Sequence, residues 1–234
     1  MSRTTKCLAH LISVVVTLAL CLPPLAHAAE TAVVIPAPAV DNPKVSGPLQ
    51  TAVLAGGCFW GVQGVYQHVR GVRKVVSGYA GGAKATADYH TVSRGDTGHA
   101  ESVEISFDPK EVSYGEILQI FFSVVHDPTQ LDRQGPDTGT QYRSNIFFVD
   151  EAQRKLAQAY IVQLERTRLF SRPIVTRVDP LEGFYAAEGY HQDFLINHPQ
   201  YPYIVINDLP KIENFQKLFP ALYRDQAVTV KNSN

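Results

Sequence analysis

Sustained runs of lysine and arginine are missing from this chain, and so is any large charge imbalance: 21 basic against 22 acidic residues leave a formal net charge of −1. Without a basic patch there is no electrostatic footprint for nucleic acid or an anionic membrane surface, so the expected substrate is small or peptidic. Cysteine is scarce, with three in 234 residues at positions 7, 21 and 58. The histidines at 68, 90, 99, 126, 191 and 198 show none of the short paired spacings that a metal site requires, and no metal is expected. Internal repeats are also lacking. What is present is enough apolar sequence, 45% of the residues, to bury one sizeable core in a single domain.

The first segment has the pattern of a secretory signal. Arg3 and Lys6 precede a nearly all-apolar run over 11–22, and Ala26-His27-Ala28 places small residues where cleavage would occur. Residues 1–28 are therefore expected to be removed near Ala28, giving a secreted or periplasmic product. An uncleaved anchor is the alternative, against which stand the shortness of the run and its end at Pro23-Pro24. A lipoprotein at Cys21 is opposed by the bulk of Leu20. Cleavage removes Cys7 and Cys21, leaves Cys58 alone and excludes an internal disulfide. In an oxidising compartment an unpaired cysteine is either a reactive thiol or an inert buried hydrophobe, and only its surroundings decide between them.

Pro36, Pro38, Pro43 and Pro48 mark residues 29–49 as a Pro/Ala-rich flexible linker. A folded domain is expected over 50–223, followed by a short tail over 224–234. Within the domain, 51–55 suggests a strand, Gly56-Gly57 a break, and Val62, Val65, Tyr66 and Val69 recur at helical spacing. Strands are expected over 72–79 and 100–107. Ser113 with Glu116 forms a capping-box pattern ahead of Ile117, Leu118, Phe121, Val124 and Val125, and a strand over 146–149 leads to Asp150 as the cap of a helix that ends before Pro173. This order of elements predicts an α+β fold, a two-layer α/β sandwich with a ferredoxin-like (split βαβ) core and an irregular C-terminal extension. Short helices around 191–197 and 211–219 are expected in that extension.

Cys58 falls between two glycines and a helix, so its sulfur should sit at a helix N-terminus, where unpaired N–H groups and the dipole favour a thiolate. Phe59 and Trp60, two large rings at the helix start, are either core residues or an apolar wall beside the nucleophile. In the strand over 100–107 the apolar positions Val103, Ile105 and Phe107 share their face with Glu101. An inward carboxyl loses hydration, its pKa rises, and it becomes a candidate proton donor near neutral pH unless the strand end opens to water. Asp127, Asp132, Asp137, Tyr142 and Arg143 lie in a loop containing Gly and Pro, a usual place for catalytic side chains and equally for solvated ones.

The string Gly57-Cys58-Phe59-Trp60-Gly61 resembles the signature of the peptide methionine sulfoxide reductase A family. The likeness continues through Ser77-Gly78-Tyr79-Ala80-Gly81-Gly82, Gly95-Asp96-Thr97-Gly98-His99-Ala100-Glu101, Gly139-Thr140-Gln141-Tyr142-Arg143-Ser144 and Ala187-Glu188-Gly189-Tyr190-His191-Gln192. The resemblance implies reduction of the S epimer of methionine sulfoxide, free or in proteins, with Cys58 as nucleophile and Glu101 as acid. It further implies that Tyr89 and Tyr142 hydrogen-bond the sulfoxide oxygen, that Asp137 orders them, and that Phe59 and Trp60 hold the S-methyl group, with Gly57 and His191 completing the substrate-binding set. Many members carry further cysteines in the C-terminal tail, whereas 201–223 has none here and resembles the single-cysteine type. The implied partners are oxidised proteins, free methionine sulfoxide and an external thiol reductant, a thioredoxin-like protein or a small thiol. No bound cofactor and no stable membrane insertion are expected, and the enzyme is expected to be a monomer. Two readings compete with this one: another single-cysteine thiol enzyme, such as a peroxidase or thiol-disulfide exchanger, and a secreted domain that binds thioether or sulfoxide groups without turnover.

Overall fold

The apolar run Ala52-Val53-Leu54-Ala55 is what a strand covered on both faces requires, and it forms the centre of the sheet. β1 (Gln50–Gly56) pairs antiparallel with β3 (Ala100–Phe107) on one side and with β6 (Ser144–Phe148) on the other. In this computed structural model, which describes residues 32–232, those four side chains are fully enclosed. β2 (Val72–Ala80) lies antiparallel along the far side of β3 with β8 (Phe184–Ala186) beyond it, while β7 (Arg177–Pro180) runs parallel to β6. The result is a six-stranded mixed sheet of order β7-β6-β1-β3-β2-β8. With its helices the chain is α+β, as expected. The expected signal segment, with Cys7 and Cys21, lies outside the described residues.

Alternation along the strands divides the apolar side chains between two faces. Leu54, Val103, Ile105 and Phe107 join the main core with residues of α1 (Phe59–Gln67), α3 (Tyr114–Ile120) and α4 (Glu151–Thr167), whereas Val53, Ala55, Ala80, Ala100 and Phe147 form a smaller cluster on the opposite side. α3 begins with the predicted capping box: Glu116 N–H donates to the Ser113 hydroxyl at 3.1 Å and Ser113 N–H to the Glu116 carboxylate at 2.8 Å. It does not continue regularly to Val125. Phe121–Val125 widens into a π turn, and the His126 ring approaches the Phe121 carbonyl at 3.0 Å. α4 is capped by Asp150, which accepts the Gln153 N–H at 2.8 Å, and it ends in a left-handed Arg168 with φ 56°.

The stretch over 29–49 departs from the flexible tether that its prolines suggest. From residue 32 onward much of it is docked on the helices: Val33 N–H donates to Ser123 O at 2.9 Å, Gln119 holds the Ile35 carbonyl, the Tyr160 hydroxyl donates to Pro36 O, and Asp41 accepts from Gly115 N–H. Proline blocks helix and ladder formation but leaves its carbonyl able to accept, and the Tyr160 hydroxyl exploits that at Pro36. Two further short pieces matter for the site: α2 (Tyr89–Val92), capped by Asp88, and the ribbon of β4 (Arg133–Gln134) with β5 (Asp137–Thr138). The C-terminal extension supplies α5 (Phe194–Asn197), a π turn over Ile204–Asp208 and α6 (Leu209–Leu218).

Because β3 and β6 run opposite to β1 and β2, the starts of the first two and the ends of the last two meet at one edge of the sheet. Cys58 follows β1, Tyr89 lies beyond β2, Glu101 opens β3 and Tyr142 precedes β6. Strand direction alone thus brings together side chains far apart in the chain.

Candidate active site

The turn into α1 needs both of its glycines. A Cβ on Gly56 would lie 2.9 Å from the Phe121 ring, and one on Gly57, where φ is +94°, would lie 2.6 Å from Gln134 Cβ. The neighbour that occupies the space where a Gly57 side chain would stand is Gln134. Gln134 is itself pinned, with Nε2 donating to Asp127 O at 2.8 Å.

Cys58 occupies the N-cap of α1 and is partly open to solvent. Its thiol is nevertheless not acidified. Burial of the sulfur pushes its pKa well above the ordinary value, the Glu101 and Asp208 carboxylates and then Asp137 push the same way, and the Trp60 N–H alone opposes them. No side-chain capping hydrogen bond forms at Cys58, so the contact from Trp60 is electrostatic. The expected lowering by the helix N-terminus is therefore outweighed, and without substrate the sulfur keeps its proton.

Part of the reason is that the helix start is shared. Phe59 N–H, the first of α1, donates to Glu101 Oε2 at 3.0 Å. Glu101 is 4% exposed, as its place on the inward face of β3 predicts, and burial pushes its carboxyl up to about 8, against the Phe59 N–H and with help from Asp137 and Asp208. One oxygen is anchored by the backbone, which leaves the other to carry a proton.

Three phenols surround this pair. Tyr142 is pushed well above the ordinary phenol range by burial first, with Glu101, Asp137 and Cys58 acting in the same direction; Tyr89 is raised by burial and by Glu101. The third, Tyr203, donates to Asp137 Oδ2 and feels Cys58 directly after burial. Asp137 thus orders Tyr203, a residue that sequence reasoning missed. Its only signal was the aromatic density near 201–203.

On the other side, the Trp60 ring stacks on Phe194 at a centroid distance of 3.9 Å and 11°, with Tyr201 and Tyr203 edge-on at 6.2 and 6.0 Å. Its Nε1–H donates to His191 Nδ1 at 3.2 Å. Phe59 is fully enclosed, its ring against Tyr79 and His191, so it supports the wall from within the core. His191 was expected in the substrate-binding set; at 2% exposure it lies behind Trp60, which corrects that placement.

Other loop residues do not join the site. Asp127 accepts from Thr129 and Gln130 within its own turn, and Arg143 ties loops together by donating to the carbonyls of Gly98, His99 and Thr140. Conversely Asp208 was unforeseen, because an Asp ahead of Leu209-Pro210 looks like an ordinary helix cap. It is fully buried with Lys211 Nζ 3.6 Å from Oδ1, and its carboxylate packs against Gly61 in the first turn of α1. Among the described residues no group of three or more His, Cys, Asp or Glu is placed to hold a metal ion. No helix among them is long and apolar enough to cross a membrane.

A shielded thiol, a carboxyl that stays protonated near neutrality, hydroxyl donors and an aromatic wall together suit attack on a polar centre bearing an oxygen and a small apolar group. Comparison with known proteins agrees. The family model described as peptide methionine sulfoxide reductase matches residues 50–222. Peptide methionine sulfoxide reductase MsrA 2 of Mesorhizobium japonicum is 60% identical over 82% of this chain and 98% of its own length. The protein of the same name from Synechocystis is 52% identical over 80% of this chain and 88% of its own. Among solved structures, reduced Mxr1 from Saccharomyces cerevisiae superposes with a TM-score of 0.59 at 32% identity, covering 70% of this chain and 97% of that one.

Proposed function

The chain belongs to the peptide methionine sulfoxide reductase A family and is an oxidoreductase of that activity, and from that premise we propose a single-cysteine mechanism specific for the S epimer of methionine sulfoxide, free or in proteins. Cys58 attacks the sulfoxide sulfur as thiolate while Glu101 delivers a proton to the oxygen. Attack joins Cys58 Sγ to the sulfoxide sulfur, whose oxygen is now a hydroxyl; that hydroxyl passes to Cys58 Sγ as the bonds from the methionine sulfur to Sγ and to oxygen break, so methionine leaves and Cys58 carries the oxygen as sulfenic acid. The reacting form holds one proton between sulfur and carboxyl; as the sulfur attacks, that proton passes to Glu101 and on to the substrate oxygen. Tyr89 and Tyr142 donate to that oxygen, Tyr203 stands beside them with its hydroxyl hydrogen held by Asp137, and Trp60, stacked on Phe194, receives the S-methyl group and fixes which face of the chiral sulfur meets Cys58.

The observation that carries this reading is the buried Glu101 carboxyl, fixed at 3.0 Å by the first N–H of the helix that Cys58 caps and pushed up to about 8. A bare reactive thiol has no need of such an acid. A peroxidase reading lacks a use for the aromatic wall.

Cys58 is the one cysteine among the described residues. We therefore propose that an external thiol, from a thioredoxin-like protein or a small molecule, attacks the sulfenic acid, releasing water and forming a mixed disulfide that a second thiol resolves. Export with cleavage near Ala28 is proposed with it, as is monomeric action. We also read the β6-β1-β3-β2 order, with β1 and β2 both antiparallel to β3, as a split βαβ core; that reading is supported by the strand pairing.

One equivalent of the S sulfoxide mixed with reduced protein, without other thiol, should yield one equivalent of methionine and a single added oxygen on Cys58, trapped by a sulfenic-acid reagent and located by mass spectrometry. Methionine release without oxidised Cys58, or equal use of both epimers, would end the proposal.

A further inference from the structure

We propose that Glu188 is a positioning residue for the sulfoxide: acting through His191, it fixes the Trp60 ring on which the function proposed above places the S-methyl group. The inference rests on that function for its meaning and on geometry for its content.

Indole N–H is a donor only. Since Trp60 Nε1 lies 3.2 Å from His191 Nδ1, that nitrogen must present a lone pair, and the imidazole hydrogen belongs on Nε2. Nε2 is buried without a hydrogen-bond partner, and Glu188 Oε2 stands 4.0 Å from it. This separation is too long for a hydrogen bond but short enough for a carboxylate to favour the tautomer whose N–H faces it.

The carboxylate is fixed from two other directions. Tyr79, fully buried on β2, donates its hydroxyl to Oε2 at 2.9 Å, and Tyr89 N–H, opening α2, donates to Oε1 at 2.9 Å. Burial works to raise the Glu188 carboxyl, yet these donors hold it below the usual carboxylate range, so it is an anion. One side chain therefore anchors both walls of the site. It holds the backbone of Tyr89, whose phenol faces the sulfoxide oxygen, and it sets the acceptor that holds Trp60.

The imidazole has little room to turn. Around it lie Phe59 and Trp60 from α1 at 5.1 and 5.9 Å, Tyr89 from α2 at 4.5 Å, and Tyr190 beside it at 4.3 Å. Burial lowers the His191 pKa, with Glu188 opposing. A neutral ring is what the Trp60 bond needs, because an imidazolium or the other tautomer would set N–H against N–H.

Trp60 is the single tryptophan of the chain, so intrinsic emission reports this ring alone. In Glu188→Gln, Trp60 emission should shift to the red, KM for the S sulfoxide should rise about tenfold, and kcat should change by less than about threefold. Acid titration of the emission should show His191 protonating at a lower pH in the variant than in the wild type. Unchanged emission and KM would overturn the proposal, and so would a parallel fall of kcat and thermal midpoint, which marks a merely structural residue. Should the variant not fold, nitrogen NMR of wild-type His191 decides: hydrogen on Nε2 is expected, and hydrogen on Nδ1 overturns the proposal. A wild type with this spectroscopic behaviour that nevertheless reduces no sulfoxide would sink the proposed function and leave the positioning intact.

Discussion

The proton-handling side of the site and the methyl-binding side are held by different parts of the molecule. Glu101 sits on a central strand, its oxygen bonded to the first N–H of α1, and its own burial is the main cause of its raised pKa, with buried Asp208 and half-buried Asp137 adding to it. Trp60 leaves the same helix but leans on Phe194, Tyr201 and Tyr203, from a stretch of short helices and a π turn in which Tyr201 is about half exposed. A hydrogen-bonded sheet tolerates little displacement, so a pKa set there is a stable property. Ring contacts of a short-helix segment yield more easily. Chemistry on the rigid frame and recognition on the softer one is a division that mutation and pH can test.

The largest effect should come from the rigid side. Glu101→Gln keeps an acceptor for Phe59 N–H and removes the proton, and is expected to slow the chemical step by about 10²–10⁴-fold while KM changes little. The pH profile follows from the same pair, which titrates as a unit. Below the Glu101 pKa of about 8 both groups are protonated, and the one-proton form that reacts falls by about tenfold per pH unit. Accordingly kcat/KM should rise toward pH about 8 and stay level until the thiol ionises, and in Glu101→Gln that break should vanish. A profile that declines through the break would show that both protons are needed, against thiolate attack.

The softer side should respond in KM. Phe194→Ala removes the ring stacked on Trp60 and is expected to raise KM about 5–20-fold with kcat within about threefold, because truncating a partly exposed aromatic pair loses roughly 1–2 kcal/mol of binding. A change in kcat as large as that in Glu101→Gln would break the division between the two sides.

How much of this the residues announce follows the same line. Glu101 is legible because alternation in β3 is a local pattern and its face follows from Val103, Ile105 and Phe107. Cys58 at a helix start is legible from Gly56-Gly57 and the helical spacing behind it, and so is the Ser113 capping box. The direction of the Cys58 shift is not, because it depends on Asp208 and Asp137, which reach the sulfur only through tertiary packing. Tyr203 and Phe194 escape for the same reason: their segment has neither a strand's period nor a long helix's, and its partners are far away in sequence. β7 and β8 are equally hidden, since strands of four and three residues leave no period to detect.

The N-terminal strap offers the smallest and sharpest test, because its composition says tether and its hydrogen bonds say otherwise. It touches the helical layer only: Val33 and Ile35 on α3 and its π turn, Pro36 and Ala37 on α4. Apart from Ile35 it buries little apolar surface, and most of its bonds are to backbone carbonyls. Deleting residues 29–44 should therefore cost about 1–3 kcal/mol, read as a lower thermal midpoint, with kcat/KM within about twofold of the full mature chain. The π turn it contacts also backs Gly56, whose Cα lies against Phe121 and Val125 just ahead of Cys58. If the sheet frame alone fixes the nucleophile, loosening the strap leaves the Cys58 chemistry unchanged. A tenfold loss of kcat at an unchanged midpoint would mean instead that the strap helps to place the sulfur, and that the rigid side reaches further from the sheet than the strand pairing indicates.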